Sequence, residues 1–415
     1  MTAASVAAGA ADLAHRGALW MVVAIGFAIP ISTALDNLLL AGLLLLWITS
    51  GRYADKWAAL RSNLFVLFPC SLFLLHLVGA IYSAADSVAI LRSLDKASII
   101  LLIPVLISLA PGRHILDRAL LAFMVGMLLT LSISFLLWLG AVPEGGFIKG
   151  IREDPSVFKM HITHGFLMSF AALLFALKYR EAKRLGAKAF FTSAAALAAV
   201  NVLFMVHGRT GQLVLLALGA YMLIARFGWR GLLATAAAGS ALSATVYVLP
   251  SSALHERVTA TVSEIQEWRA GKPAALRNMR FESWSNSVQI IRENPILGVG
   301  TGGFAAAYAE QVQGTSMLAV EQPENQYLLT TVQLGAAGLI ALLALFAAQW
   351  RLATRFSTRA NTDCARGLVV AMVVGSLFNS FLLDHTEALF YAWLSGLLHT
   401  GASGIQHDDR RSVAL

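Results

Sequence analysis

Several short runs in this chain combine residue types that can do chemistry on a charged or sugar-bearing substrate. In His207-Gly208-Arg209-Thr210-Gly211, a guanidinium stands between glycines at the end of an apolar stretch. Such a group stays charged at any working pH and can grip phosphate oxygens with two parallel bonds. It can also simply snorkel to lipid headgroups. Arg277, Arg280 and Trp284 share one helical stripe at i, i+3 and i+7, a basic and aromatic face suited to a headgroup, a phosphate or a sugar ring. The run Gln322-Pro323-Glu324-Asn325-Gln326-Tyr327 and the run Asp384-His385-Thr386-Glu387 hold carboxylates and an imidazole able to act as general bases. Asn325 and Asp384 equally suit helix N-caps. Arg152 and Lys159 add cationic charge toward an anion site. His161 and His164, an i, i+3 pair, have a spacing that can ligate a metal, but no HExxH-type carboxylate accompanies them. The glycine-rich run Asn294–Phe304 lacks a preceding strand and a following Lys-Ser/Thr, so it reads as a tight turn and not a nucleotide loop.

The elements that must position these residues are membrane helices. The chain of 415 residues is 58% hydrophobic and 13% charged, with mean hydropathy +0.70. A soluble domain carries about a quarter charged residues. Apolar blocks near 18–33, 35–50, 63–82, 97–111, 118–140, 161–177, 189–206, 211–225, 231–250, 326–349, 367–383 and 388–403 read as spans, about twelve in all. The fold class is therefore all-α and polytopic. Three parts follow: spans over 1–250, a large helical loop over 251–325, and the last spans with a tail over 326–415. Within the loop, Leu254–Arg269 and Ala275–Asn294 read as amphipathic helices. The first apolar block reads as a retained helix. Cys70 and Cys364 have no disulfide or metal spacing and read as packing residues.

The net charge of +8 reflects topology, not nucleic-acid binding. Lys and Arg collect in alternate short connections, as in Arg52/Lys56/Arg61, Lys178–Lys188 and Arg351–Arg366, which puts those connections and both termini in the cytoplasm. The candidate residues then share the opposite face, with 251–325. His76 and Asn201 are isolated polar residues within spans. No line of acids runs through the membrane as a proton-coupled transporter would need.

Taken in order, Arg209-Thr210-Gly211, Arg280 four before Trp284, Asn294-Pro295-Ile296-Leu297-Gly298-Val299-Gly300 and Pro323-Glu324-Asn325-Gln326-Tyr327-Leu328 leading into Leu334-Gly335-Ala336-Ala337-Gly338-Leu339 resemble the O-antigen ligase/O-antigen polymerase family of bacterial cell-envelope proteins. The resemblance implies a GT-C-like glycosyltransferase of the inner membrane with a periplasmic site. Its donor would be a glycan on undecaprenyl pyrophosphate, and its acceptor the lipid A–core oligosaccharide. Polymerases and protein O-oligosaccharyltransferases share the layout. A lipid-linked glycan or solute transporter is the alternative from another class. The family usually carries His between the Pro and Asn of the last run, where this chain has Glu324. Asp384 resembles an acidic residue near the ligases' last helix. Within that frame Glu324, Arg209 and Arg280 are the expected catalytic residues, with His385 as reserve base. Arg152, Lys159, His161, His164, Arg277, Trp284, Asn325, Tyr327 and Asp384 would bind substrate. No metal or other cofactor is expected.

The charge sorting makes a direct prediction. A Cys placed at Ser263 should react with an impermeant thiol reagent added from outside, and one at Ala187 should not; the reverse pattern would invert the topology.

Overall fold

The structure is a computed structural model that describes residues 3–248, 259, 262, 263, 266, 279–315 and 317–400. Arg277 and nearly all of the helix expected over Leu254–Arg269 lie outside the described residues. The regular elements described are helical: α1 (Ala3–Ala28), α2 (Thr33–Thr49), α3 (Tyr53–Ser62), α4 (Leu67–Tyr82), α5 (Ser87–Ser98), α6 (Leu102–Leu109), α7 (Arg113–Trp138), α8 (His161–Glu181), α9 (Leu185–Val200), α10 (Arg209–Phe227), α11 (Trp229–Val248), α12 (Met279–Glu293), α13 (Phe304–Gln311), α14 (Gln326–Leu352), α15 (Arg359–Gly375) and α16 (His385–His399). Six helical segments among them are long and apolar enough to cross a membrane, or seven if α2 and α3, bent by 110°, make one broken span.

Several boundaries differ from the sequence reading for local reasons. α1 begins at Ala3, because its alanine-rich start favours helix, and ends before Pro30. The span expected over 97–111 is split at Ile99–Leu101. Pro104 has no N–H to offer the Ile100 carbonyl, so the chain passes through a tighter turn there. The connection expected over 83–96 contains α5, whose first turn is capped by the Asp86 carboxylate accepting from Ala89 N at 2.8 Å.

The centre of the bundle is α16. Every residue from Thr386 to His399 is buried. Phe390 packs between Phe123, Phe166 and Phe170, and the Trp393 indole donates to the Val22 carbonyl at 2.9 Å. α8 and α10 cross at a glycine pair. A Cβ on Gly211 would lie 2.7 Å from the Gly165 Cα, and Ser169 Oγ donates to the Gly211 carbonyl at 2.9 Å. Gly211 of the Arg209-Thr210-Gly211 run is thus a packing residue. Asn201 is not isolated: it meets His164 at 2.9 Å and donates to Ser134 Oγ at 2.7 Å.

α14 is broken at Gly335, which has φ +62. In a regular helix the N–H groups of Ala336 and Ala337 would pair with the carbonyls of Val332 and Gln333. Instead they donate to Pro295 and Ile296, at 2.9 and 3.5 Å, while Val299 and Gly300 donate to the freed carbonyls of Val332 and Gln333 at 2.8 and 2.9 Å. Thr301 continues the insertion, donating from N to the Gly79 carbonyl at 3.1 Å and from Oγ1 to the His76 carbonyl at 2.7 Å. The glycine-rich run and the Leu334–Leu339 run therefore fit each other.

Gly335→Ala tests that fit. An added Cβ would stand 2.1 Å from the Ile296 carbonyl oxygen. The left-handed backbone alone costs a non-glycine residue about 1–3 kcal/mol. Thermal unfolding in detergent should show a marked loss of stability. Gly219→Ala, on an open helix face with nothing within 4 Å, should gain about 0.5–1 kcal/mol instead. Equal effects of the two changes would refute the lock.

Candidate active site

The Pro323–Tyr327 run forms a hinge between α12 and α14. The Pro323 carbonyl accepts from the Trp284 indole at 2.9 Å and from Ser283 Oγ at 3.4 Å, which seats α12 on it. Arg280, on the same face of α12, donates to the Glu324 carboxylate, from Nε at 3.1 Å and also from its second nitrogen. Glu324 has φ +48, an unfavourable conformation for a residue with a Cβ. Its neighbours hold it there. The Asn325 side chain accepts from Leu328 N at 3.0 Å, capping α14, and donates to the Leu377 carbonyl at 2.9 Å. Gln326 N donates to the Ser376 carbonyl at 2.9 Å, and Tyr327 Oη donates to the Val373 carbonyl at 2.9 Å.

The partner of this hinge is the turn between α15 and α16. Asn379 of that turn donates to Thr210 Oγ1 at 2.8 Å, bringing the start of α10 to the same end of the bundle. Arg209 is exposed at that start. Asp384 occupies the N-cap position of α16, but its carboxylate makes no capping bond. Burial pushes its pKa up; Lys96 of α5 opposes that, and Glu324 adds to it. Asp384 is thus within electrostatic reach of Glu324.

Deeper in the same end, Lys159 is buried. It donates to Thr33 Oγ1 at 2.8 Å and Thr386 Oγ1 at 3.2 Å, and lies 3.5 Å from the Asp36 carboxylate. Burial lowers its pKa, and Asp36 counters that shift. An open cavity of about 630 Å³ runs beside the hinge, lined by Phe281, Trp284, Val288, Arg292, Leu328 and Leu377 among others.

The structure thus gathers Arg280, Trp284, Glu324, Asn325 and Tyr327 into one unit and sets Asp384 beside it. Lys159 bonds to Thr386 on the same first turn of α16, and it acts electrostatically on His385. Other candidates do different work. Arg152 folds back on α7, with Nε donating to the Trp138 carbonyl at 3.0 Å. His161 and His207 flank Asp154, each Nδ1 3.6 Å from one of its oxygens. His164 is enclosed, between Val157 N and Asn201, and does not share a ligand with His161. Among the described residues no three His, Cys, Asp or Glu side chains are placed to hold one metal ion. The sequence reading missed Asp36, Lys96 and Asp154. Asp36 had a signal, an acid at the head of an apolar stretch; Lys96 required knowing that α5 folds over the site.

The O-antigen ligase family model matches residues 194–343, a stretch that holds Arg209, Arg280, Glu324 and the Gly335 break. Over that stretch the chain is similar to the O-antigen ligase family. An uncharacterized protein of Haemophilus influenzae is 27% identical over 154 residues, 34% of this chain and 38% of that protein. The alignment therefore spans well under half of that relative's length. A chain in a solved peptidoglycan synthase complex is similar with a TM-score of 0.47 and 18% identity, over 81% of this chain and 96% of that one.

The raised pKa of Asp384 makes a stability prediction. A native carboxyl with a raised pKa binds its proton more tightly than the unfolded chain does. Wild type therefore gains stability as pH falls through the native pKa, until both states are protonated below about 4. Asp384→Asn has no charge to bury. Its thermal midpoint should exceed that of wild type at neutral pH, and the gap should close toward about pH 4. A lower midpoint at neutral pH would show that Lys96 more than compensates the buried charge.

Proposed function

We propose that this protein is a glycosyltransferase that moves a glycan from undecaprenyl pyrophosphate to a hydroxyl of the lipid A–core oligosaccharide, as an O-antigen ligase. Members of its family are glycosyltransferase-like enzymes. The observation that carries the reading is the Arg280–Glu324 ion pair, held at a strained hinge beside Asp384. It joins a phosphate-binding group and a base in one place, within the part of the chain that the family model matches. On this reading the fold is GT-C-like with about twelve spans, the site is periplasmic, and the membrane is the inner one.

The residues suggest how transfer would proceed. In the unloaded protein Arg280 is occupied by Glu324. A pyrophosphate offers the guanidinium a stronger bidentate partner. Its arrival would draw Arg280 away and free the carboxylate next to the anomeric carbon. Arg209 and Arg280 would then neutralise the leaving pyrophosphate, the place where charge develops as the bond breaks. Glu324 would take the proton of the acceptor hydroxyl as its oxygen attacks. One direct displacement inverts configuration at that carbon. Trp284 and the adjoining cavity offer a surface for a sugar ring or an acyl chain. Both amphiphiles would meet with their headgroups already oriented by the membrane, which lowers the entropic cost of their encounter. The chemistry needs no metal or other cofactor.

Purified protein supplied with lipid-linked glycan and lipid A–core decides between the readings. Lipid A–core of increased mass supports a ligase, a lengthened lipid-linked glycan a polymerase, and movement without bond formation a transporter. Arg209→Ala and Arg280→Ala should each abolish transfer in a folded protein, a loss of about 2–4 kcal/mol of transition-state stabilisation. Arg280→Lys should rescue poorly, since a point charge cannot reproduce the bidentate fork. Glu324→Gln should be nearly inactive, whereas Glu324→His should retain measurable transfer. A fully active Gln variant would reduce Glu324 to a hinge residue.

A further inference from the structure

Behind the Arg280–Glu324 pair lies a second charged cluster, fully enclosed. Asp36, on the first turn of α2, has no accessible surface, and neither carboxylate oxygen has a hydrogen-bond partner. Glu387, on the first turn of α16, is equally buried; the Thr163 hydroxyl reaches its carboxyl, but one oxygen is unpartnered. Lys159 is the cation between them. It stands 3.5 Å from Asp36, donates to Thr386 next to Glu387, and interacts electrostatically with Glu387 itself. The other charged or titratable groups facing the cluster are Asp384 and His385 on α16, Lys149 on the 139–160 connection, and Asp95 of α5, which acts on His385.

Two carboxylates and one ammonium would leave a net negative charge in an enclosed site. Burying an unbalanced charge is costly, and a carboxyl escapes that cost by keeping its proton. One proton kept on either acid leaves a neutral set: one acid, one carboxylate, one ammonium. The unpartnered oxygens of Asp36 and Glu387 provide the room for it. The three residues also come from three separate elements: α2, the connection before α8, and α16. Their meeting fixes the first turn of α16, on which Asp384 and His385 stand.

We propose that Asp36, Lys159 and Glu387 form a one-proton clamp that positions Asp384 and His385 for the transfer reaction, Lys159 being its positioning residue. The catalytic half of this proposal rests on the glycosyl-transfer reading; the proton does not. At alkaline pH that proton leaves, the enclosed set carries an unbalanced negative charge, and the start of α16 loosens. Removing either acid leaves a neutral Lys–carboxylate pair that has no such proton to lose.

Infrared spectroscopy of the full protein in detergent reads the proton, and transfer assays read the positioning. Wild type at neutral pH should show the carbonyl stretch of a protonated buried carboxyl, and both Asp36→Asn and Glu387→Gln should remove it. Transfer by wild type should fall on the alkaline side together with that band, and in Asp36→Asn the alkaline fall should move to higher pH. Lys159→Met should lower kcat by up to about 10²-fold, the scale of a misplacement near 1 Å, with KM little changed. Lys159→Arg should restore most of the loss, which keeps the test valid if the Met variant folds poorly. A wild-type spectrum without the band, or a band indifferent to both acid variants, would overturn the clamp. An alkaline limb unchanged in Asp36→Asn would overturn its role in positioning. If wild type shows no transfer at all, the functional reading fails, and the band still decides the proton.

Discussion

A helix that breaks inside a membrane must find partners for the backbone groups it releases, because lipid offers none. At Gly335 this protein finds them by exchange. Two N–H groups and two carbonyls of α14 pair with the 295–300 segment in place of each other. Much of the site depends on that exchange. It fixes the upper half of α14, and with it Asn325 and Glu324. It draws the 294–303 segment against α4 through Thr301. It also sets where α12, which ends at Glu293, can lie. Because each partner is a main-chain group, the lock tolerates side-chain change at Ile296 or Leu297 but not loss of the glycine conformations at 298, 300 and 335.

The site end is assembled from short segments distant in sequence: the start of α10, α12 with its hinge, and the turn before α16. They are fastened by uncharged groups, the Asn379–Thr210 bond, the Trp284 and Ser283 bonds to the Pro323 carbonyl and the Gln326–Ser376 main-chain bond, while the charged side chains are left to face one another. Strain is concentrated at Glu324, which is held in a left-handed conformation by its neighbours. The opposite end handles its charges differently. Asp363 there is shared by Arg180 at 2.8 Å and Tyr221 at 3.1 Å, and Lys56 is buried beside Trp47 and Ser50. Those groups are paired and closed.

Much of this was legible from residues alone, and the physical reasons are specific. Long apolar blocks reveal α7, α8 and α14, since only a helix can carry so many apolar residues through lipid. The Pro323–Tyr327 and Asn294–Gly300 runs marked the right places, though the second reads as a simple turn until Gly335 is seen to need it. Asn325 is a cap, as its type allows, whereas Asp384 stands at a cap position without capping. What sequence could not show was proximity. Nothing in the spacing of Asp36, Lys159 and Glu387 places them together; three separate elements must fold first. The same holds for Asp154, which sits between His161 and His207 only because the 139–160 connection folds back over α8 and α10.

The burial of α16 from Thr386 to His399 has a consequence for depth. With 15 residues at about 1.5 Å each, the helix is about 22 Å long, short of a hydrocarbon core of about 30 Å. A lipid-facing helix of that length would have to thin the bilayer around it. α16 touches protein on every side, so bilayer thickness does not set its length. Its ends are instead free to lie beneath the membrane surface. The start of α16 can then be recessed, its level set by the bundle and not by the lipid. A membrane of different thickness would change how far below its surface Asp384 lies, while leaving the packing around it the same.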